Sequence, residues 1–216
     1  NYVLAFAGAP VCAETFSCYP VNLYTSMRIH DDLRANVSSF FAELIRVKKI
    51  VDAISSGERV FFLLDELFRG TNSRDRHDGA VAVLKVLISG GASGLISTHD
   101  LELASAVCDR TAVMYAGQIV EVRGSEALVE DARHPYSRGL LAARPSVSSR
   151  VQYLDAIPGR PRAAFEVSEG CAFADRCSFA QDRCIVDEPK FVQDNGSAVR
   201  CVRVDELVFA GKDASA

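Results

Sequence analysis

Arg59-Val60-Phe61-Phe62-Leu63-Leu64-Asp65-Glu66, running on through Leu67-Phe68-Arg69-Gly70-Thr71-Asn72-Ser73, is the stretch that decides the fold. The unbroken apolar run from Val60 to Leu64 predicts a strand buried on both faces, as in a parallel sheet covered by helices. It stops at two adjacent carboxylates. Parallel α/β sheets bind ligands at the carboxyl ends of their strands, which puts Asp65 and Glu66 at the working edge. One acid there can hold Mg²⁺ through water, and the next can orient or deprotonate an attacking water. The plainer alternative is that the Asp-Glu pair ends the strand and caps the turn.

Working outward, Gly94-Leu95-Ile96-Ser97 is a second short apolar run, ending in Thr98-His99-Asp100. One plausible helix separates the two runs, the spacing of a β-α-β unit. His99 and Glu66 would then lie at the same edge of neighbouring strands. A histidine there can sense a γ-phosphate, whereas alone His99 would read as a helix-cap neighbour. Asp65, Glu66 and His99 together imply half of a nucleotide-hydrolysing site.

Before this unit, Asn1 to Gly8 predicts a helix end closed by glycine, and Val11–Phe16 and Leu23–Ile29 predict short strands or extended edges. Asn36-Val37-Ser38-Ser39 is a natural helix start, with Glu43 in the early turns. Phe40, Phe41, Leu44, Ile45, Val47, Val51 and Ile54 recur at helical spacing up to Gly57. Ile88-Ser89-Gly90-Gly91 imitates the signature of transporter ATPases, but it follows the Asp-Glu strand instead of preceding it. It is expected to end a helix over Ala80–Ile88.

Composition narrows the classes. The chain has 216 residues, 49% of them hydrophobic, a net charge of −4 and a pI near 5.6. That length supports one sizeable core plus a small appendage. No basic run offers an electrostatic footprint for nucleic acid. No apolar stretch approaches the roughly 18 residues of a spanning helix, and no signal peptide is visible. Of the seven cysteines, Cys12, Cys18 and Cys108 are scattered and read as buried thiols, while Cys171, Cys177, Cys184 and Cys201 cluster.

Four segments carry a family likeness: Ala7-Gly8-Ala9-Pro10-Val11-Cys12-Ala13, Leu23-Tyr24-Thr25-Ser26-Met27-Arg28-Ile29, Leu63 to Ser73, and Ser97-Thr98-His99-Asp100. On these, residues 1–104 resemble the ATPase domain of the MutS family of DNA mismatch-repair proteins. The resemblance implies ATP and Mg²⁺, with Asp65 on the Mg²⁺ side, Glu66 as general base and His99 as γ-phosphate sensor. It also implies that Ser38 and Ser39 reach across a dimer to the partner's γ-phosphate. A helix N-terminus with hydroxyls suits that task, although an ordinary N-cap would look the same.

The phosphate-cradling loop G-x-x-x-x-G-K-[ST] is missing. The one Gly-Lys pair, Gly211-Lys212, is followed by Asp213. In the family that loop lies just upstream of the segment matching Asn1. The start at Asn1 instead of Met accordingly suggests a fragment, from which no tight ATP binding alone is expected.

Past His99 the likeness changes. Cys108 to Glu121 reads as two strands around a tight Ala116-Gly117 turn. With Arg133-His134-Pro135-Tyr136-Ser137-Arg138-Gly139-Leu140-Leu141, Ala156-Ile157-Pro158-Gly159-Arg160-Pro161 and the cysteine cluster, residues 105–205 resemble the C-terminal part of ATP-binding subunits of oligopeptide and dipeptide ABC importers. Turn formation and packing account for His134 and Tyr136. The junction near 100–108 makes the chain a hybrid: a natural fusion, an assembly artefact or a fragment swap.

Cys171, Cys177 and Cys184 fall within a short stretch, and Cys201 returns from a distance. Four such thiols can surround a tetrahedral centre or a cluster. The spacing leaves an iron–sulfur cluster, zinc, and unligated or disulfide-bonded cysteines open. The importer resemblance implies a [4Fe–4S] cluster of structural role, with Zn²⁺ the alternative.

The expected fold is thus an α/β P-loop NTPase of the ABC superclass: a partial parallel sheet flanked by helices, with a small irregular Cys-rich C-terminal appendage. Its expected parts are a core over 1–104, closing strands over 105–125, a helical linker over 126–165, the four-cysteine region over 166–211 and a tail over 212–216. Three functions follow. The first is an ATP-hydrolysing subunit of peptide import, dimeric with another ATPase subunit, bound to membrane permease subunits at the inner face of the cell membrane and otherwise cytoplasmic. The second is a mismatch-repair ATPase on duplex DNA. The third is a non-catalytic metal-binding fragment.

Overall fold

The computed structural model describes residues 1–27, 39–68, 73–144, 156–167, 169–194 and 196–207. Contacts divide the chain into two units, Asn1–Leu103 and Ala104–Ala216. Ser38 lies outside the described residues.

The first unit opens with a short helix, α1 (Tyr2–Phe6), followed by Gly8 at φ +72°. Three parallel strands, β1 (Asn22–Ser26), β2 (Val60–Asp65) and β3 (Ser93–Ser97), pair in that order. Parallel neighbours need crossovers, and two helices supply them: α2 (Ser39–Ser55) before β2 and α3 (Ser73–Ser89) before β3. Val60, Phe62 and Leu64 of β2 are buried, as are Val47, Ile50 and Ala53 of α2 and Ala80, Leu84 and Leu87 of α3. These residues alternate on the strand and recur at helical spacing on the helices, so one apolar layer forms between sheet and helices.

Three expectations need adjustment. β2 is buried on one face; Phe61, Leu63 and Asp65 on the other are half-buried. Val11–Phe16 forms no strand; the Cys12 backbone there bonds the Asn1 side chain, its N donating to Oδ1 at 3.0 Å and its O accepting from Nδ2 at 3.4 Å. The helix expected from Ala80 begins at Ser73, with Asp75 in a first turn where the helix dipole favours an acid. It ends as expected at Gly90-Gly91, with Gly91 at φ +83°.

A seven-residue helix, α4 (Leu101–Val107), leads to the hairpin β4 (Arg110–Tyr115) and β5 (Gln118–Gly124). Ala116 and Gly117 take φ +46° and +77°, the primed turn that matches strand twist. Two helices, α5 (Ser125–Asp131) and α6 (Pro135–Ala142), follow. A short α7 (Asp182–Val186) precedes β6 (Phe191–Asp194) and β7 (Ser197–Arg200). The second unit's antiparallel sheet runs β4-β5-β7-β6. Val113, Tyr115, Val120, Leu128, Ala132, Ala172 and Phe173 form its core. The described residues form a mixed α/β protein with a parallel and an antiparallel sheet.

Candidate functional site

Asp65, the last residue of β2, pairs in register with Ser97, the last residue of β3. Ser97 Oγ donates to Asp65 Oδ1, and Glu66 N donates to the Ser97 carbonyl at 3.0 Å. The strands therefore stay joined one residue past their end. Glu66 and Phe68 then adopt φ +47° and +60°, a left-handed region that residues with side chains seldom occupy. Contacts from α2 hold this turn: buried Glu43 accepts Phe68 N through Oε1 at 2.8 Å, and the Phe40 ring meets Phe68 edge-on at 5.8 Å.

The turn delivers Glu66 to the histidine. His99 Nε2 lies 2.8 Å from Glu66 Oε1; the Glu66 side chain is 21% exposed and that of His99 95%. A half-buried carboxylate on a rigid strand end thus meets a histidine on the solvent side. The carboxylates of Asp65 and Glu66 are hard oxygen donors of the kind Mg²⁺ accepts. A carboxylate so held can accept a proton from water, and an adjacent imidazole can donate to an anion.

Behind His99, Asp100 organises the loop. Its Oδ1 accepts Glu102 N at 2.9 Å and Leu103 N at 3.0 Å, an N-cap on α4. Its backbone N donates to Thr98 Oγ1 at 3.0 Å, and its Oδ2 lies 2.8 Å from His77 Nδ1. Burial works to raise the Asp100 carboxyl, but the His77 hydrogen bond and the backbone N–H groups of Leu103 and Glu102 outweigh it and hold it below the ordinary value.

The structure therefore brings Asp65, Glu66 and His99 to one edge. Ser39 begins α2, and its side chain is outside the description. Sequence reasoning missed the parts played by Glu43, Ser97 and His77. The contacts of Glu43 and His77 are long-range, the partners standing 25 and 23 positions apart in sequence, and no local pattern announces them.

The four clustered cysteines of the second unit line one cavity of about 20 Å³, together with His134, Phe173 and Arg203. None is disulfide-bonded. Burial pushes the Cys171, Cys177 and Cys201 thiols up. The expected metal centre needs correction in one respect: among the described residues, no three His, Cys, Asp or Glu side chains are grouped to hold an ion. Neutral, desolvated thiols have no mutual attraction to draw them onto one centre. The four sulfurs that line the cavity are soft donors.

Beside this cavity, buried His134 caps α6, its Nδ1 accepting Tyr136 N at 3.0 Å. Burial lowers its pKa to about 4, against an opposing effect of the Arg200 backbone. Fully buried Glu121 accepts the backbone N–H groups of Arg133 at 2.8 Å and His134 at 3.0 Å, fixing the entry to α6.

The family model of MutS domain V matches residues 2–132, more than half of the chain. The chain belongs to that family. Its MutS domain V match runs past the expected junction and overlaps a second one. The model of the oligopeptide/dipeptide transporter C-terminal region matches residues 120–184. Curated relatives of this MutS domain V chain include peptide-import proteins. The oligopeptide transport ATP-binding protein AppD of Bacillus subtilis is 37% identical over 113 residues, 52% of this chain and 34% of its own length. OppD of Haemophilus influenzae is 36% identical over 106 residues, 49% of this chain and 32% of its own. OppD of Mycobacterium tuberculosis is 40% identical over 129 residues, 58% of this chain and 20% of its own. The chain thus spans about a third or less of the length of these relatives. Among the described residues, no helix is long and apolar enough to cross a membrane.

Proposed function

We propose that the chain supplies the carboxylate-and-histidine half of a P-loop ATPase site that drives oligopeptide or dipeptide import. The observation that carries this reading is the 2.8 Å pairing of His99 with Glu66 at the carboxyl edge of a parallel sheet. Similarity to AppD and OppD supports the transport assignment. Asp65 would hold Mg²⁺ on the ATP phosphates, Glu66 would orient and deprotonate the attacking water, and His99 would contact the γ-phosphate. Ser38 and Ser39 would meet the nucleotide of a partner ATPase subunit. Phosphoryl transfer to water then rests on positioning and charge stabilisation. A phosphate-cradling loop is required to complete the site, and the sequence contains none. The partners would be membrane permease subunits and a second ATPase subunit, at the cytoplasmic face of the membrane.

Cys171, Cys177, Cys184 and Cys201 would hold a [4Fe–4S] cluster, with Zn²⁺ the alternative. Such a group would pin the C-terminal segment through metal–thiolate bonds once the thiols lose their protons. It would take no part in hydrolysis.

The MutS domain V match favours a second reading, an ATPase acting on duplex DNA. Two binding assays discriminate them: titration with duplex DNA at fixed salt, and capture by the permease subunits of a peptide importer. Permease capture without salt-sensitive DNA binding supports the transport reading; the reverse result replaces it.

A further inference from the structure

We propose that His77 is a positioning residue for His99, acting through Asp100. The inference rests on the ATPase reading for its consequence, but its physical basis stands on contacts of the first unit. Asp100 fixes one loop through its carboxylate and its backbone N–H. Its carboxylate caps α4 through Glu102 N and Leu103 N, and its backbone N–H closes the turn onto Thr98 Oγ1. The remaining bond, Oδ2 to His77 Nδ1 at 2.8 Å, ties this loop to α3. The side chains of His77 and Asp100 are both about a third exposed or less, so the pair is only partly screened by solvent.

The connection matters because of where its ends lead. α3 starts shortly after Glu66, and Asp100 is the residue after His99. His99 itself is almost fully exposed and has no packing of its own to hold it. A side-chain contact this exposed is worth little by itself and costs the entropy of fixing its side chains. Its position on Glu66 therefore depends on a backbone fixed from behind. The His77–Asp100 bond supplies that fixture, closing a circuit from Glu66 through α3 to Asp100 and back through His99.

The test is backbone ¹⁵N relaxation of the full chain, comparing wild type with H77A, H77N and D100N. An Asn at position 77 can still donate to Asp100, and Asn at position 100 keeps the helix cap while losing the charge. In H77A the order parameter of the His99 amide is expected to fall from about 0.85, the rigid range, to below about 0.6, with the Phe62 and Leu64 amides of β2 unchanged. H77N restores it, and D100N moves it in the same direction as H77A if H77A does not fold. An unchanged His99 amide in H77A, or in D100N, overturns the proposal. When the chain is completed by a phosphate loop, H77A should lower kcat for ATP with KM unchanged, and H77N should recover it. A mobilised His99 in a completed chain without turnover would leave the positioning intact and overturn the ATPase reading instead.

Discussion

Glu66 Oε1 and His99 Nε2 lie 2.8 Å apart although a 17-residue helix, α3, separates the strands that carry them. Parallel pairing of β2 with β3 produces this meeting, since Asp65 and Ser97 end the two strands in register. The left-handed φ at Glu66 then turns the chain away while its carboxylate remains at the sheet edge. A backbone held in that region costs about 1 kcal/mol or more, and it falls at the carboxylate proposed above as the general base.

Gly94 tests the sheet. A Cβ there would meet the Phe62 ring and the Phe62 carbonyl oxygen. The ring could shift, but the carbonyl belongs to the neighbouring strand. G94A is expected to destabilise the first unit by about 2–3 kcal/mol, read as a lower urea midpoint at unchanged m.

His134 is expected to make the second unit acid-sensitive. Its folded-state pKa, about 4, lies below the ordinary histidine value of about 6.5. A group depressed in the fold contributes its stability above the unfolded value and loses it as pH falls through the folded one. Unfolding free energy should thus decline between about pH 6.5 and 4, by roughly 3 kcal/mol at most. H134N keeps an acceptor for Tyr136 N and is expected to flatten that slope. An equally steep slope in H134N would place the sensitivity elsewhere.

The cysteine-lined cavity predicts a metal-dependent gain in stability. Anaerobic reconstitution with iron and sulfide should give visible charge-transfer absorption and a higher melting temperature, both lost in C184S. A single equivalent of Zn²⁺ producing the same stabilisation would favour the tetrahedral ion. No gain with either would remove metal from the account.

Much of the parallel sheet was legible because its signals are local. Val60–Leu64 is apolar without interruption, and Gly57 and Gly91 stop the flanking helices. The meeting of Asp65, Glu66 and His99 at one edge followed from strand ends and the β-α-β spacing. What escaped notice was tertiary. Glu43 reads as an ordinary helix acid, yet it accepts Phe68 N from a buried position. His77 sits in a charged helix start, and nothing near it in sequence points to Asp100. The Val11–Phe16 segment has strand-like residues, but the side chain of Asn1 claims the Cys12 backbone.

The most direct measurement is ATP turnover by the chain joined to the strand and phosphate loop of a peptide-import ATP-binding protein, with E66Q beside it. The account predicts Mg²⁺-dependent turnover that falls about 100-fold or more in E66Q, with nucleotide binding retained. Turnover equal in E66Q and wild type, or none from a folded chain that binds Mg²⁺–ATP, would contradict it.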